Sequence, residues 1–199
     1  MKILNSRSKN FEKVLDNLLE KRRKKIHSSS VSVSSIIRDV KKNGDKAILK
    51  YEKKFNQNKI IKPTSKQVLK LIKSLDKNVK NAIDLAYERI YKFHSLQKVK
   101  NISYVDNLDN KLEYRYLPLE SVAIYVPGSS VSYPSTVLMN AIPAIVAGVK
   151  RIIMINPGYK GKQNPAVLYA AYKCGIKEIY SIGGPSAIAA TAYGTKKIK

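Results

Sequence analysis

At 199 residues, with 44% hydrophobic side chains, 9 Gly and 8 Pro, the chain is long enough to bury a real core, and its composition excludes collagen-like, mucin-like, solenoid and disordered classes. The longest uncharged apolar run, Ala141 to Val149, contains Pro143 and is about half of the roughly 20 residues that cross a bilayer, so no membrane-spanning helix is expected. A net charge of +24, from 38 basic and 14 acidic side chains, raises the question of an anionic partner.

The opening stretch MKILNSRSKNFEKVLDNLLEK has no apolar core of signal-peptide length, and Glu12, Asp16 and Glu20 are foreign to an organelle transit peptide, so a cytoplasmic location is expected. Phe11, Val14, Leu15, Leu18 and Leu19 recur at helical spacing and predict an amphipathic arm over residues 1–27, followed by the basic cluster Lys21 to Lys25 and a serine run, His27 to Ser30, that reads as a linker. A helix from about Ser32 to Lys42 closes at Asn43-Gly44, and Asp45 opens another with Ile48, Leu49 and Phe55 on one face. Thr64 or Ser65 can cap a helix carrying Val68, Leu69, Ile72 and Leu75, and Asp76 one running through Val79, Ile83, Ala86, Ile90 and Phe93. Between Ile102 and Leu117, the alternating LEYRYL after the turn-prone DNLDN predicts a short hairpin. Residues 28–117 thus form a helical region with a hairpin.

From Pro118 the pattern changes. Strands are expected at Val122–Val126, Arg151–Ile155 and Glu178–Ile182, and helices at Ser135–Gly148, Asn164–Cys174 and Pro185–Tyr193. Near-continuous apolar strands joined by helical crossovers imply an α/β fold, a Rossmann-like parallel sheet in the order β-α-β-α-β-α over residues 118–199, incomplete at its C-terminus, behind the helical N-terminal region. Pro143 should kink its helix. Ligands of such sheets collect beyond the carboxyl ends of the strands, where this sequence places Pro127-Gly128-Ser129-Ser130, Asn156-Pro157-Gly158 and Gly183-Gly184-Pro185-Ser186.

The charge does not define a nucleic-acid site. Residues 1–100 hold 27 Lys/Arg against 9 Asp/Glu, the rest 11 against 5, and 31 of the 38 basic residues are lysines scattered among acids, whereas arginine is the usual reader of bases and phosphates. A non-catalytic basic module binding nucleic acid or a protein partner is therefore the alternative reading, with nucleic acid not the expected partner. The loop PGSSVSYPST could offer helix N-terminal N–H groups to an anion or be no more than a tight turn, and neither G-x-G-x-x-G nor a P-loop is present. Tyr125 ends a strand beside that loop and could stack on a ligand ring or pack. His27 and His94 lack metal-ligand spacing, Cys174 reads as a core or cap residue, and Glu120 and Glu178 sit at strand beginnings, so no catalytic or metal-ligating residue is assigned.

The stretch LPLESVAIYVPGSSVSYPSTVLMNAIPAIVAGVKRIIMINPGYKGKQNPAVLYAAYKCGIKEIYSIGGPSAIAATAYGT resembles the histidinol dehydrogenase family, with its YVPGG…YPSSVLMNAIPA and GG-x-QAIAA-x-AYGT patterns. IIRDVKKNGDKAILKYEKKFN and AYERIYKFHSLQK resemble family segments of the front half, so the likeness covers essentially the whole chain. The resemblance implies a cytoplasmic homodimer that oxidises the small molecule histidinol through the aldehyde to histidine, using NAD and zinc. Carried over residue by residue, it makes Tyr125 and Ser186 the cofactor-binding positions. Ser186 stands where the family has glutamine, Ser129 where it has the second glycine of PGG, and Val131 where it has alanine. The zinc ligands and proton-handling residues of the family lie beyond the matched segment, so this chain is expected to be the N-terminal half, completed by a C-terminal half chain or inactive alone.

Overall fold

Local signals set the helix boundaries. In the computed structural model, which describes residues 7–128 and 130–199 but not the side chains of 21–32, α1 spans Phe11–Asn43 and stops at Gly44, and α2 spans Asp45–Phe55. The next helix, α3 (Ser65–Lys73), starts at a capping box: Thr64 Oγ1 accepts from the Gln67 N–H and Gln67 Oε1 accepts from the Thr64 N–H at 2.8 Å. At the start of α4 (Lys77–Ser95), Asp76 Oδ1 accepts from the N–H groups of Asn78 and Val79. Each such cap stabilises its helix by about 1 kcal/mol.

The serine run is not a linker. The first helix runs for 33 residues straight through it, so the boundary expected between residues 27 and 28 falls inside a continuous element. The run contains neither Gly nor Pro, and each serine costs a helix no more than roughly 0.7 kcal/mol relative to alanine. Val33, Ile36 and Ile37 then continue the apolar spacing.

The hairpin forms as expected, with β1 (Ile102–Val105) antiparallel to β2 (Lys111–Tyr114) and Ile102 opposite Tyr114. Asp106 closes the turn by accepting from the N–H groups of Leu108 and Asn110 at 2.8 and 2.9 Å. All of its strand residues are exposed.

After the hairpin come β3 (Ser121–Tyr125), α5 (Pro134–Ala147), β4 (Arg151–Ile155), α6 (Pro165–Lys173), β5 (Glu178–Tyr180) and α7 (Gly184–Tyr193). The strands lie parallel in the order β3-β4-β5, with Tyr125 beside Ile155 and Ile155 beside Tyr180. Pro143 lies inside α5, which continues through it to a left-handed Gly148. The last strand is two residues shorter than expected, because the Ser181 N–H donates to the Ile61 carbonyl at 2.6 Å instead of to a strand.

Side chains alternate across the sheet and build two cores. On one face Ile124, Met154 and Ile179 meet Leu138, Ile142 and Leu168 of the crossover helices, and Ile72 and Ile83 from α3 and α4 close the same cluster. On the other, Ile153, Ile155, Tyr180 and Ile182 meet Ala187 and Ala190 of α7, with Val40 of α1, Ala47 and Ile48 of α2, and Ile198. The front-half helices are thus structural layers of the sheet. Ile198 is held there by a turn in which Thr195 Oγ1 donates to Asp45 Oδ1 at 2.6 Å.

Candidate functional site

The carboxyl ends of β3, β4 and β5 open into three loops that pack backbone to backbone. At Gly128 an added Cβ would stand 1.9 Å from the Gly158 carbonyl oxygen, so only glycine lets the first loop close on the second. Gly184 has φ +65, with open space where its Cβ would be, which leaves the turn before α7 accessible. Tyr125, at the end of β3, reaches across, and its Oη accepts from the Gly184 N–H at 3.0 Å.

A polar network splices the loops beneath this surface. The buried Asn156 donates from Nδ2 to the Val126 carbonyl at 2.9 Å, and Gln163 Nε2 donates to the Asn156 carbonyl at 2.8 Å and Ser181 Oγ at 2.9 Å. From the helical half, Asn58 Nδ2 donates to the Pro157 carbonyl at 2.9 Å and to Glu52 Oε2 at 2.8 Å, where Asn56 Nδ2 also donates at 3.0 Å. The other Glu52 oxygen accepts from the Gly183 N–H at 2.8 Å. Glu52 is 1% exposed, and burial pushes its carboxyl above the ordinary range against the pull of those three donors.

Above the network lies a cavity of about 560 Å³ lined by Tyr51, Phe55, Tyr125, Gly128, Gly184 and Ser186 among others. The two cofactor positions expected from the sequence therefore share one cavity wall. Ser186 is buried in the first turn of α7, with its hydroxyl turned back to donate to the Gly183 carbonyl at 3.0 Å. Phe55, expected on one face of α2 with Ile48 and Leu49, parts from the buried Ile48: it is 60% exposed and lines the cavity, its ring parallel to that of Tyr51 at 6.2 Å. One helical turn above Ile48, the inner position belongs to Glu52. A lone acid four residues from a core isoleucine is the one signal the sequence offers for it.

The other candidates lie elsewhere. Glu178 and Arg151 pair through two bonds of 2.7 and 2.9 Å at the strand starts, the opposite edge of the sheet. Cys174 is buried past the end of α6, its thiol pushed up to about 12 by burial. His94 is partly buried and bonded to Gln97. The side chains of His27 and of the Lys21 to Lys25 cluster, and Ser129, lie outside the described residues, and Val131 lines a neighbouring cavity of about 220 Å³. Among the described residues no group of three or more His, Cys, Asp or Glu could hold a metal ion, and no helix is long and apolar enough to cross a membrane.

Parallel strands covered on both faces, with a glycine-lined cavity beyond their carboxyl ends, define an α/β protein with a Rossmann-like sheet. The histidinol dehydrogenase family model matches residues 19–199. Over 199 residues the chain is 75% identical to a histidinol dehydrogenase of Pelagibacter ubique, covering all of this chain and 46% of that protein. Identity to the one from Acinetobacter baylyi is 41% over 203 residues, covering 100% and 47%. The crystal structure of histidinol dehydrogenase from Elizabethkingia anophelis superposes with a TM-score of 0.81 at 36% identity, over 85% of this chain and 40% of that one. The chain belongs to the histidinol dehydrogenase family and spans about half the length of the curated relatives it matches. The alternative of a basic nucleic-acid or protein-binding module finds no support in these likenesses.

Proposed function

We propose that this chain is the NAD-binding part of a histidinol dehydrogenase, which oxidises histidinol to histidine together with the length that the relatives have beyond the matched half. The observation that carries this reading is the 75% identity over all 199 residues to the Pelagibacter ubique protein of that name.

The residues present fit a dinucleotide. The open face of Gly184 leaves room for a diphosphate at the start of α7, a ten-residue helix whose dipole favours an anion there, while the Gly183 and Gly184 N–H groups are held by Glu52 and Tyr125 and shape the turn. The parallel Tyr51 and Phe55 rings offer a flat apolar wall to a base or nicotinamide ring. NAD held there would supply the hydride acceptor for oxidation of the alcohol. Tyr125 orients the turn through the Gly184 N–H, and Ser186 closes the first turn of α7 beneath it.

Removal of the hydroxyl proton needs a base, and none of the residues lining this cavity is a histidine, cysteine or carboxylate. No described cluster fits zinc either. Both tasks therefore fall to the length beyond the match, supplied in the same polypeptide, by a separate half chain or across a homodimer, in the cytoplasm. The edge of β3 away from β4 has no partner strand among the described residues, and Leu117 and Leu119 before it are 82% and 68% exposed, which supports further chain packing there.

The test is an NAD titration of the 199-residue chain by calorimetry, then an assay of NADH formation from histidinol with and without the carboxyl half of a related enzyme. Binding by the chain, with turnover only when the half is added, is expected. Turnover by the chain alone, or no NAD binding in either mixture, overturns the proposal.

A further inference from the structure

We propose that Glu52 is a positioning residue for the dinucleotide turn, holding the Gly183–Gly184 backbone in its binding-competent orientation from the opposite end of the chain. The inference rests on the reading of this cavity as an NAD site.

Two consecutive N–H groups at the mouth of α7 are each pinned by a side chain. Gly183 donates to Glu52 Oε1 at 2.8 Å, and Gly184 donates to Tyr125 Oη at 3.0 Å. One acceptor comes from the last full turn of α2 and the other from the end of β3, so the turn is fixed from two sides before Ser186 enters the cavity wall. Through Asn58, which bridges Glu52 Oε2 and the Pro157 carbonyl, the same carboxylate sets the loop after β4. Its two oxygens thus join α2, the loop after β4 and the turn before α7.

A carboxylate is the side chain this geometry requires. It meets three N–H donors and no cation, and an ionised carboxylate is acceptor-only on both oxygens, whereas an amide of the same shape would turn one NH₂ toward the Asn56 and Asn58 donors. Packing alone does not explain the choice, since an apolar side chain would avoid the cost of burying a charge without a counter-ion.

The groups in contact with the carboxylate do not titrate. The titratable side chains on the elements packed around it are engaged elsewhere: Asp39 of α1 with Lys50 and Tyr51 of α2, Tyr193 of α7 beneath Lys41, and Tyr125 with Gly184. Protonation of Glu52 would replace an acceptor by a donor facing two amides and loosen the turn.

The experiment follows the Gly183 amide by ¹⁵N NMR while the 199-residue chain is titrated with NAD at a series of pH values, for the wild type, Glu52→Gln and Glu52→Ala. The Gly183 resonance and the NAD affinity of the wild type should change with the same midpoint, affinity falling on acidification. In Glu52→Gln the affinity should be about tenfold weaker and no longer follow that midpoint. Should both variants fail to fold, the wild-type comparison decides: NAD affinity that stays constant across the pH range in which the Gly183 amide titrates overturns the proposal. A folded Glu52→Gln chain with wild-type affinity and pH profile overturns it too, while leaving the NAD site intact. Absence of NAD binding to the wild type overturns the underlying reading and this inference with it.

Discussion

Glu52 and Gly183 stand 131 residues apart in sequence and are joined by a 2.8 Å hydrogen bond. The first belongs to a helix of the front half and the second to the turn that starts the last helix, so the helical region reaches into the site as well as covering the sheet.

Removal of the Tyr125 hydroxyl tests the other anchor of that turn. Tyr125→Phe leaves the Gly184 N–H without its acceptor at a partly exposed position, where water can replace the lost bond. NAD affinity should fall several-fold, in line with about 1 kcal/mol for one hydrogen bond, with little change in Tm. Calorimetric titration and a thermal melt together separate binding from stability, and an unchanged Kd would contradict the assignment.

Gly128 and Gly184 should respond differently to alanine. A Cβ at Gly128 would overlap the Gly158 carbonyl oxygen and Pro157 Cγ, forcing two loops apart at a cost of about 1–3 kcal/mol or more. At Gly184 the space is open and the cost is the left-handed backbone alone, about 1–2 kcal/mol. Denaturant midpoints of Gly128→Ala and Gly184→Ala give the order, and equal or reversed losses would contradict the loop packing.

The pair formed by Arg151 and Glu178 should contribute to stability without touching ligand binding. The guanidinium holds the Glu178 carboxyl below its usual range, so the carboxylate is stabilised by folding. That contribution is present above the ordinary glutamate value of 4.5 and is lost as pH falls through the lower folded-state value. Both partners are about one-third exposed, which limits the gain to about 1 kcal/mol or less. Glu178→Gln should lower Tm slightly at neutral pH, the difference vanishing in acid, with NAD affinity unaltered.

Glu52 carries the opposite sign. Its folded-state carboxyl lies above the ordinary value, so the folded chain binds this proton more tightly than the unfolded one, and acidification toward 4.5 gains stability through this group while weakening the turn it holds. Comparison of Glu52→Gln with the wild type by melts between neutral and mildly acid pH should show the wild type gaining relative to the variant as pH falls.

Cys174 should be inert in the folded chain. With 8% exposure and a thiol pushed up to about 12, it has almost no thiolate at neutral pH, and reaction with iodoacetamide should appear only after denaturation. Rapid alkylation of the native chain would show that the end of α6 opens.

The amino-acid sequence by itself determined the elements whose signals are local. Strand-helix alternation from Val122 to Tyr193, the caps at Thr64 and Asp76, the stop at Gly44 and the hairpin turn at Asp106 all depend on neighbours within a few residues, and the motifs around Tyr125 and Gly183 identified the family. Tertiary structure alone decided which front-half helices cover which face of the sheet, that the serine run continues a helix, and that Glu52 is inside while Phe55 lines a cavity. The spacing of α2 permits either side chain to face inward. What selects Glu52 is the trio of N–H donors from Asn56, Asn58 and Gly183, and the last of these is brought there only when the sheet and both helical layers have assembled, because a buried carboxylate is tolerated only where its acceptors are matched.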